Sequence, residues 1–429
     1  MSALAIGALL TRLLSSEDVG LYFLAFSLVL TLSSIVQFGM NRTVVRLTAK
    51  SITSQVPGQA RSAIFKILSS VATLSLVLGI LISSDLGDWV ATIAFKDSRI
   101  NNYLPILIIW FSVNALRNII AESFRGLHNI KMAALGQRIL PNLLILTGLV
   151  VIWRIDFSFA LSDAMILAAA AATLVIIFTG IKLYRQLIIF PSDDCVPFGS
   201  ILRSSFPLFI SQALSLVMVQ SPIWILGATQ TENELALFGT AMRVAIFTSM
   251  PLLIANNVLM PMAASLHSAN QKDTLSRLLN VAVSLVAIPS SIIFIIIWFS
   301  GADILDLIYG KGYSEGAATL LILSFGYLVN VYAGSSAVVL AMSGNERRVL
   351  RSALFSSSLS VVTCLLLIPK YGSVGAAIAA STGLILYNIF LCWHCKNALG
   401  LRTYISIFGF QSLFSLARKA FRDKKDPTN

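Results

Sequence analysis

The sequence predicts an all-α polytopic membrane protein of about twelve transmembrane helices in two six-helix lobes. Three observations carry the prediction: composition, the length of the apolar runs, and the placement of charge. Hydrophobic residues fill 57% of 429 positions, charged residues only 12%, and mean hydropathy is +0.84. Soluble domains hold roughly 25% charged and 45–50% apolar residues. A soluble enzyme and a disordered chain are therefore excluded. The runs match the ~20 residues a helix needs to cross ~30 Å of hydrocarbon. Barrel strands are ~10 residues long and alternate in polarity, so these runs are helices.

Polar breaks separate twelve spans: 2–14, 18–40, 62–84, 103–125, 132–153, 161–181, 204–228, 235–262, 278–300, 316–342, 349–368 and 374–395. The connections are short and leave no room for a soluble domain. The first span is too short to cross. It lacks the basic n-region and cleavage site of a signal peptide. We read it as a helix 1 truncated by a late start codon, which a longer upstream reading frame would support.

Charge sets the topology. Of 31 Lys and Arg residues, 23 fall on one side, six on the other, and two, Arg117 and Arg243, inside spans. Of 19 acids, twelve lie on the positive-poor side, six on the positive-rich side, and Glu122 inside a span. The positive-inside rule then puts both termini in the cytoplasm. The net charge of +12 is topology, with no nucleic-acid partner implied.

The halves align at a constant offset of 216 residues. Val19-Gly20-Leu21-Tyr22 lies over Leu235-Ala236-Leu237-Phe238, Val113-Asn114 over Val329-Asn330, and Asn129 over Asn345. Six helices separate the copies, so the repeat is parallel, with its pseudo-two-fold axis along the membrane normal. The expected domains are an N-terminal lobe at 1–190, a C-terminal lobe at 191–400, and a cytoplasmic tail at 401–429. In the tail, Ile407, Phe410, Leu413, Phe414, Ala417 and Phe421 share one helical face, opposite Arg418, Lys419 and Arg422. That pattern reads as an amphipathic helix on anionic membrane lipids.

Four segments carry a family resemblance. Ile368-Pro369-Lys370-Tyr371-Gly372-Ser373-Val374-Gly375-Ala376-Ala377-Ile378-Ala379-Ala380 resembles an "IPxYGxxGAAxA" helix connection. Ile308-Tyr309-Gly310-Lys311-Gly312-Tyr313 resembles an "LFGxxY" turn, and Arg12 to Tyr22 is similar to "ARLLGPEEFGLY". Leu340-Ala341-Met342-Ser343-Gly344-Asn345 resembles the turn between helices 10 and 11. These motifs resemble the polysaccharide flippase branch of the multidrug/oligosaccharidyl-lipid/polysaccharide exporter superfamily. They are scaffold motifs, informative about fold and silent about substrate. The resemblance implies a V-shaped, two-lobed inner-membrane transporter. Its cargo would be a lipid-linked oligosaccharide, usually on undecaprenyl pyrophosphate, flipped to the periplasmic leaflet. Glycan polymerase and glycosyltransferases would be its partners.

An anionic headgroup calls for a polar, cationic cavity. Charges buried at span centres cost ~2.5–3.5 kcal/mol each on insertion scales and are functional candidates by default. In the fourth span Asn114, Arg117, Asn118, Glu122 and Arg125 follow i, i+3, i+4 spacing. One reading is a cavity wall, with Arg117 attracting phosphate and Glu122 partnering it or carrying a proton. The other is a structural pair between packed helices. Arg243 in the eighth span is the second deep cation. Ser27, Thr31, Ser34, Gln37 and Asn41 form a stripe on the second span, followed by Arg42 and Arg46, and Gln212 sits in the seventh. These groups either line the cavity or hydrogen-bond between helices. Arg42, Arg46 and Arg138 fit an electropositive entrance or lipid headgroup contact. Cys392-Trp393-His394-Cys395 lacks the second ligand pair a zinc site needs. No metal or other cofactor is expected. The runner-up function is an H⁺- or Na⁺-coupled small-molecule exporter of the same superfamily. A membrane enzyme is disfavoured, because the chain has neither a sizeable extramembrane loop nor a pair of buried acids.

Overall fold

The computed structural model describes residues 2–84, 103–155, 159–191, 196–269 and 271–405. The described residues are helical, with no strand among them. They form two compact units, 1–236 and 237–429. The first division therefore falls beyond the polar stretch at 191–194. The amphipathic tail face at 407–422, and Cys195, lie outside the described residues.

The first unit begins with α1 (Ser2–Leu13) and α2 (Ser16–Gln37). Ser15 caps α2: its Oγ accepts from the Asp18 N–H at 3.1 Å, and Glu17 and Asp18 complement the positive helix terminus. The second span ends earlier than the sequence suggests. Phe38 and Gly39 take left-handed backbone angles, φ 46° and 72°, and a separate helix α3 (Met40–Thr53) follows. This break moves Asn41 off the stripe of Ser27 and Ser34 and onto α3. Then come α4 (Pro57–Ile82), opened by its N-terminal proline, and α5 (Leu104–Gly126). The fifth span is composite: α6 (Ile130–Ala134), a π turn (Leu135–Ile139) and α7 (Leu140–Ile155). The unit continues with α8 (Leu161–Leu187) and α9 (Phe198–Thr229). Helix α9 packs on α2 and α3, where Phe38 stacks on Phe209 at 4.6 Å.

Helix α10 (Glu232–Ala245) crosses from the first unit into the second. A 3-10 turn (Ile246–Ser249) and α11 (Met250–Ser268) complete the eighth span. Helix α12 (Lys272–Tyr309) bends at Ser300. The tenth span is α13 (Ala317–Ala333), interrupted at Gly334, and then α14 (Ser336–Met342). Helix α15 (Glu346–Leu399) is two antiparallel arms joined at Gly372, whose φ is 53°. Phe355 meets Phe390 edge-on at 5.0 Å, and the Ser360 hydroxyl donates to the Ala379 carbonyl. The arms are the eleventh and twelfth spans, and the turn is the tyrosine–glycine step of the sequence motif. A side chain at Gly375 would meet the Leu367 carbonyl at 2.5 Å, so only glycine allows this approach.

Among the described residues ten helices are long and apolar enough to cross a membrane, α15 counting once. Large apolar side chains such as Leu76, Ile80, Phe299 and Leu366 are exposed, as lipid-facing residues are.

Candidate functional site

The polar cluster on α5 is the most developed charged site among the described residues. It starts from a proline. Pro141 has no N–H, so the Gln137 carbonyl four residues earlier loses its helical donor. The chain answers with the π turn, in which the Leu140 N–H bonds the Leu135 carbonyl. That shift strips the Gly136 carbonyl of its donor as well. Two main-chain acceptors are thus left open inside a transmembrane helix. Arg117 supplies both. Its Nη1 donates to the Gly136 carbonyl at 3.1 Å and the Gln137 carbonyl at 2.6 Å. Its Nη2 donates to Asn114 Oδ1 at 2.6 Å. Asn114 Nδ2 in turn donates to Ser33 Oγ on α2 at 3.1 Å, and Ser33 Oγ donates to the Phe111 carbonyl at 2.9 Å. Gly136 is buried between α5 and α8, where an added Cβ would press on Thr179 at 3.2 Å.

One turn further along α5, Glu122 does not partner Arg117. It accepts from Arg125 Nη1 at 2.7 Å on both carboxylate oxygens. Gln137 joins the pair, its Nε2 donating to Glu122 Oε1 at 3.1 Å and its Oε1 accepting from Arg125 Nη2 at 2.9 Å. The spacing explains the choice: three residues put Arg125 on the face of Glu122, whereas five put Arg117 away from it. Gln137 thereby serves two networks, its carbonyl holding Arg117 and its side chain bridging Glu122 and Arg125. Glu122 is mostly covered (12% exposed) and Arg125 is open (45%). Asn118 is half-buried on the same helix.

The other candidates divide. Gln212 on α9 donates to Ser34 Oγ on α2 at 2.9 Å, Trp224 Nε1 donates to Ser27 Oγ at 3.0 Å, and Ser205 Oγ donates to Thr43 Oγ1 at 2.8 Å. Ser27 and Ser34 of the stripe are therefore hydrogen-bonded to α9, while Thr31 Oγ1 donates to the Ser27 carbonyl of its own helix. Asn41 is half-buried, its Oδ1 accepting from the Arg42 N–H at 2.9 Å. Arg42, Arg46 and Arg138 are exposed. Arg243 belongs to the second unit. It is half-buried, and its Nη1 donates to the Gly239 carbonyl on its own helix at 3.0 Å. Cys392 and Cys395 face the α13–α14 break, where Cys395 Sγ donates to the Ser336 carbonyl at 3.5 Å.

Sequence reasoning found Arg117, Asn114 and Glu122 but missed Gln137, Gly136 and Ser33. The available signal was Pro141, whose place inside an apolar run marks a carbonyl that needs another donor.

The sequence profile of the family described as polysaccharide biosynthesis protein matches residues 3–267, and the MatE family profile matches residues 207–366. The capsular polysaccharide biosynthesis protein CapF of Staphylococcus aureus is 25% identical over 225 residues, 52% of this chain and 52% of its own. This chain thus spans about half the length of that relative. Among solved structures the fold is similar to an inward-facing multidrug resistance MATE family transporter of the MOP superfamily. That likeness has TM-score 0.76 and 15% identity, covering 93% of this chain and 94% of that one. It is also similar to the lipid II flippase MurJ in an inward closed conformation. There the TM-score is 0.70 and the identity 16%, with coverage of 98% and 91%. A MOP superfamily transporter from Pyrococcus furiosus gives 0.64 and 16%, covering 92% and 91%. These identities speak to fold alone. The polysaccharide biosynthesis protein profile covers more than half of the chain, and so this multi-pass membrane protein belongs to the polysaccharide biosynthesis protein family.

Proposed function

We propose that the chain flips a lipid-linked oligosaccharide, a polysaccharide repeat unit on a polyprenyl pyrophosphate, from the cytoplasmic to the periplasmic leaflet of a bacterial inner membrane by alternating access. The family profile over residues 3–267 carries this reading. The capsular polysaccharide name of the Staphylococcus aureus relative supports it. Both termini are cytoplasmic in this reading, and the glycan polymerase and glycosyltransferases are its partners. In this reading Arg125, oriented by Glu122 and Gln137, is the candidate cation of the first unit for the pyrophosphate, and Arg243 is a separate candidate within the second. Gln212, Asn118, Asn41 and Arg46 are secondary candidates. Arg117 acts as a positioning residue: its donors hold the π turn of the fifth span, and through Gln137 the turn sets Glu122 and Arg125.

The test is flipping of a fluorescent polyprenyl-pyrophosphate oligosaccharide by the purified protein in vesicles. Arg243→Ala is expected to slow it while the protein accumulates normally. Wild-type flipping by that variant would remove Arg243 from the cargo path. A second reading, a cation-coupled small-molecule exporter, is favoured by the MatE match over residues 207–366. Efflux of a cationic dye by the same vesicles, with no flipping of the labelled lipid, would establish it instead.

A further inference from the structure

The chain beyond α15 does not leave the second unit at once. Gly400, with φ 71°, turns it back. The next residues alternate, Leu401 and Thr403 buried, Arg402 and Tyr404 exposed. Leu401 joins a hydrophobic cluster that includes Leu275 and Leu279 of α12 and Val339 and Leu340 of α14. Thr403 is 1% exposed, and its hydroxyl lies 2.5 Å from that of Ser336 and donates to Cys392 Sγ at 3.8 Å.

This segment lies against the break between α13 and α14. Gly334 has φ 70°, which interrupts the helix and removes the regular donors of the Tyr332 and Ala333 carbonyls. Open carbonyls within a bilayer must find other donors. The Ile405 N–H donates to the Tyr332 carbonyl at 2.8 Å. The Ser336 hydroxyl donates to the Ala333 carbonyl at 3.1 Å and Cys392 Sγ donates to it at 3.5 Å. The fit has no slack: a Cβ on Gly334 would overlap the Thr403 carbonyl oxygen and a Val283 methyl.

We propose that residues 401–405 form a strap that braces the break in the tenth span. The strap supplies a main-chain donor that α13 lost at Gly334, and it ties that break to α12 and α15. Without it the joint between α13 and α14 is a free hinge with an open carbonyl. The brace is separate from whatever the tail beyond residue 405 does.

The test uses the full-length protein with Thr403→Cys, which sets a thiol beside the native Cys392. Copper phenanthroline is the oxidant, and peptide mass spectrometry reads the 392–403 disulfide. The bond is expected to form readily in detergent and in vesicles. Adding Gly334→Ala expels the strap and lowers the crosslinked fraction about tenfold, because both the positive φ and the overlap oppose alanine. A crosslink that does not form, or that Gly334→Ala leaves unchanged, overturns the proposal. Should Gly334→Ala fail to accumulate, two truncations decide. Deleting residues 406–429 is expected to leave the thermal unfolding temperature unchanged, and deleting 401–429 to lower it by several degrees. Equal unfolding temperatures for the two truncations would refute the brace.

Discussion

Arg117 is a deep membrane cation whose partners are main-chain oxygens, and this makes a sharp prediction. Arg117→Ala strips donors from the Gly136 and Gln137 carbonyls. A buried acceptor left unpaired costs ~1–3 kcal/mol, so the pair costs about 2–6 kcal/mol. Pro141 is the reason one of these carbonyls is open. Pro141→Ala returns an N–H to position 141, within reach of the Gln137 carbonyl in a regular helix. In the wild-type background this changes little, since Arg117 already holds that oxygen. In the Arg117→Ala background it restores one of two bonds, about 1–3 kcal/mol. The assay is a double-mutant cycle on the purified protein, by unfolding in detergent titrated with sodium dodecyl sulfate. The double variant is expected to be more stable than the sum of the single effects. Strict additivity would refute the view that Arg117 serves the carbonyls freed by the proline.

Three further outcomes follow from the same geometry. Gly39→Ala places a methyl against the Ser205 carbonyl and 2.6 Å from the Phe209 nitrogen, at φ 72°; it should cost about 2 kcal/mol or more in unfolding and loosen α9 from α2. A stability equal to wild type would show that the backbones are not held together there. Glu122→Gln removes the carboxylate from a half-open pair and should lower stability by about 1 kcal/mol or less, with the difference shrinking at high salt. A salt-independent loss above that value would point to a buried role for the carboxylate. Ser205→Ala removes one interhelical hydrogen bond to Thr43 and should cost about 0.6 kcal/mol; a loss several times larger in the same titration would contradict that estimate.

The fold was legible because a membrane protein writes it in composition. Twelve apolar runs correspond to the elements from α1 to α15, and the turn at Gly372 stands where Pro369-Lys370-Tyr371-Gly372 predicts it. The site was legible only in part. Arg117 stands out in any hydropathy reading, but its partners do not. Pro141 signals a lost helical bond, but that the chain answers with a π turn at 135–139 and seats Gly136 against Thr179 is not announced by any periodicity. Glu122 illustrates the same limit. Its sequence neighbours include two arginines, and helix geometry with Gln137 selects Arg125.

The sequence by itself determined a polytopic helical protein and, through scaffold motifs, its family, because hydrocarbon forces every backbone donor and acceptor into regular helices. Tertiary structure decided what happens where those helices are irregular. At Pro141 and Gly334 the regular pattern fails, and the open carbonyls need donors from elsewhere. One break takes Arg117, from a different helix; the other takes Ile405, some seventy residues downstream of Gly334. Such partners are set by proximity in three dimensions, and a linear pattern of apolar and polar residues does not encode them.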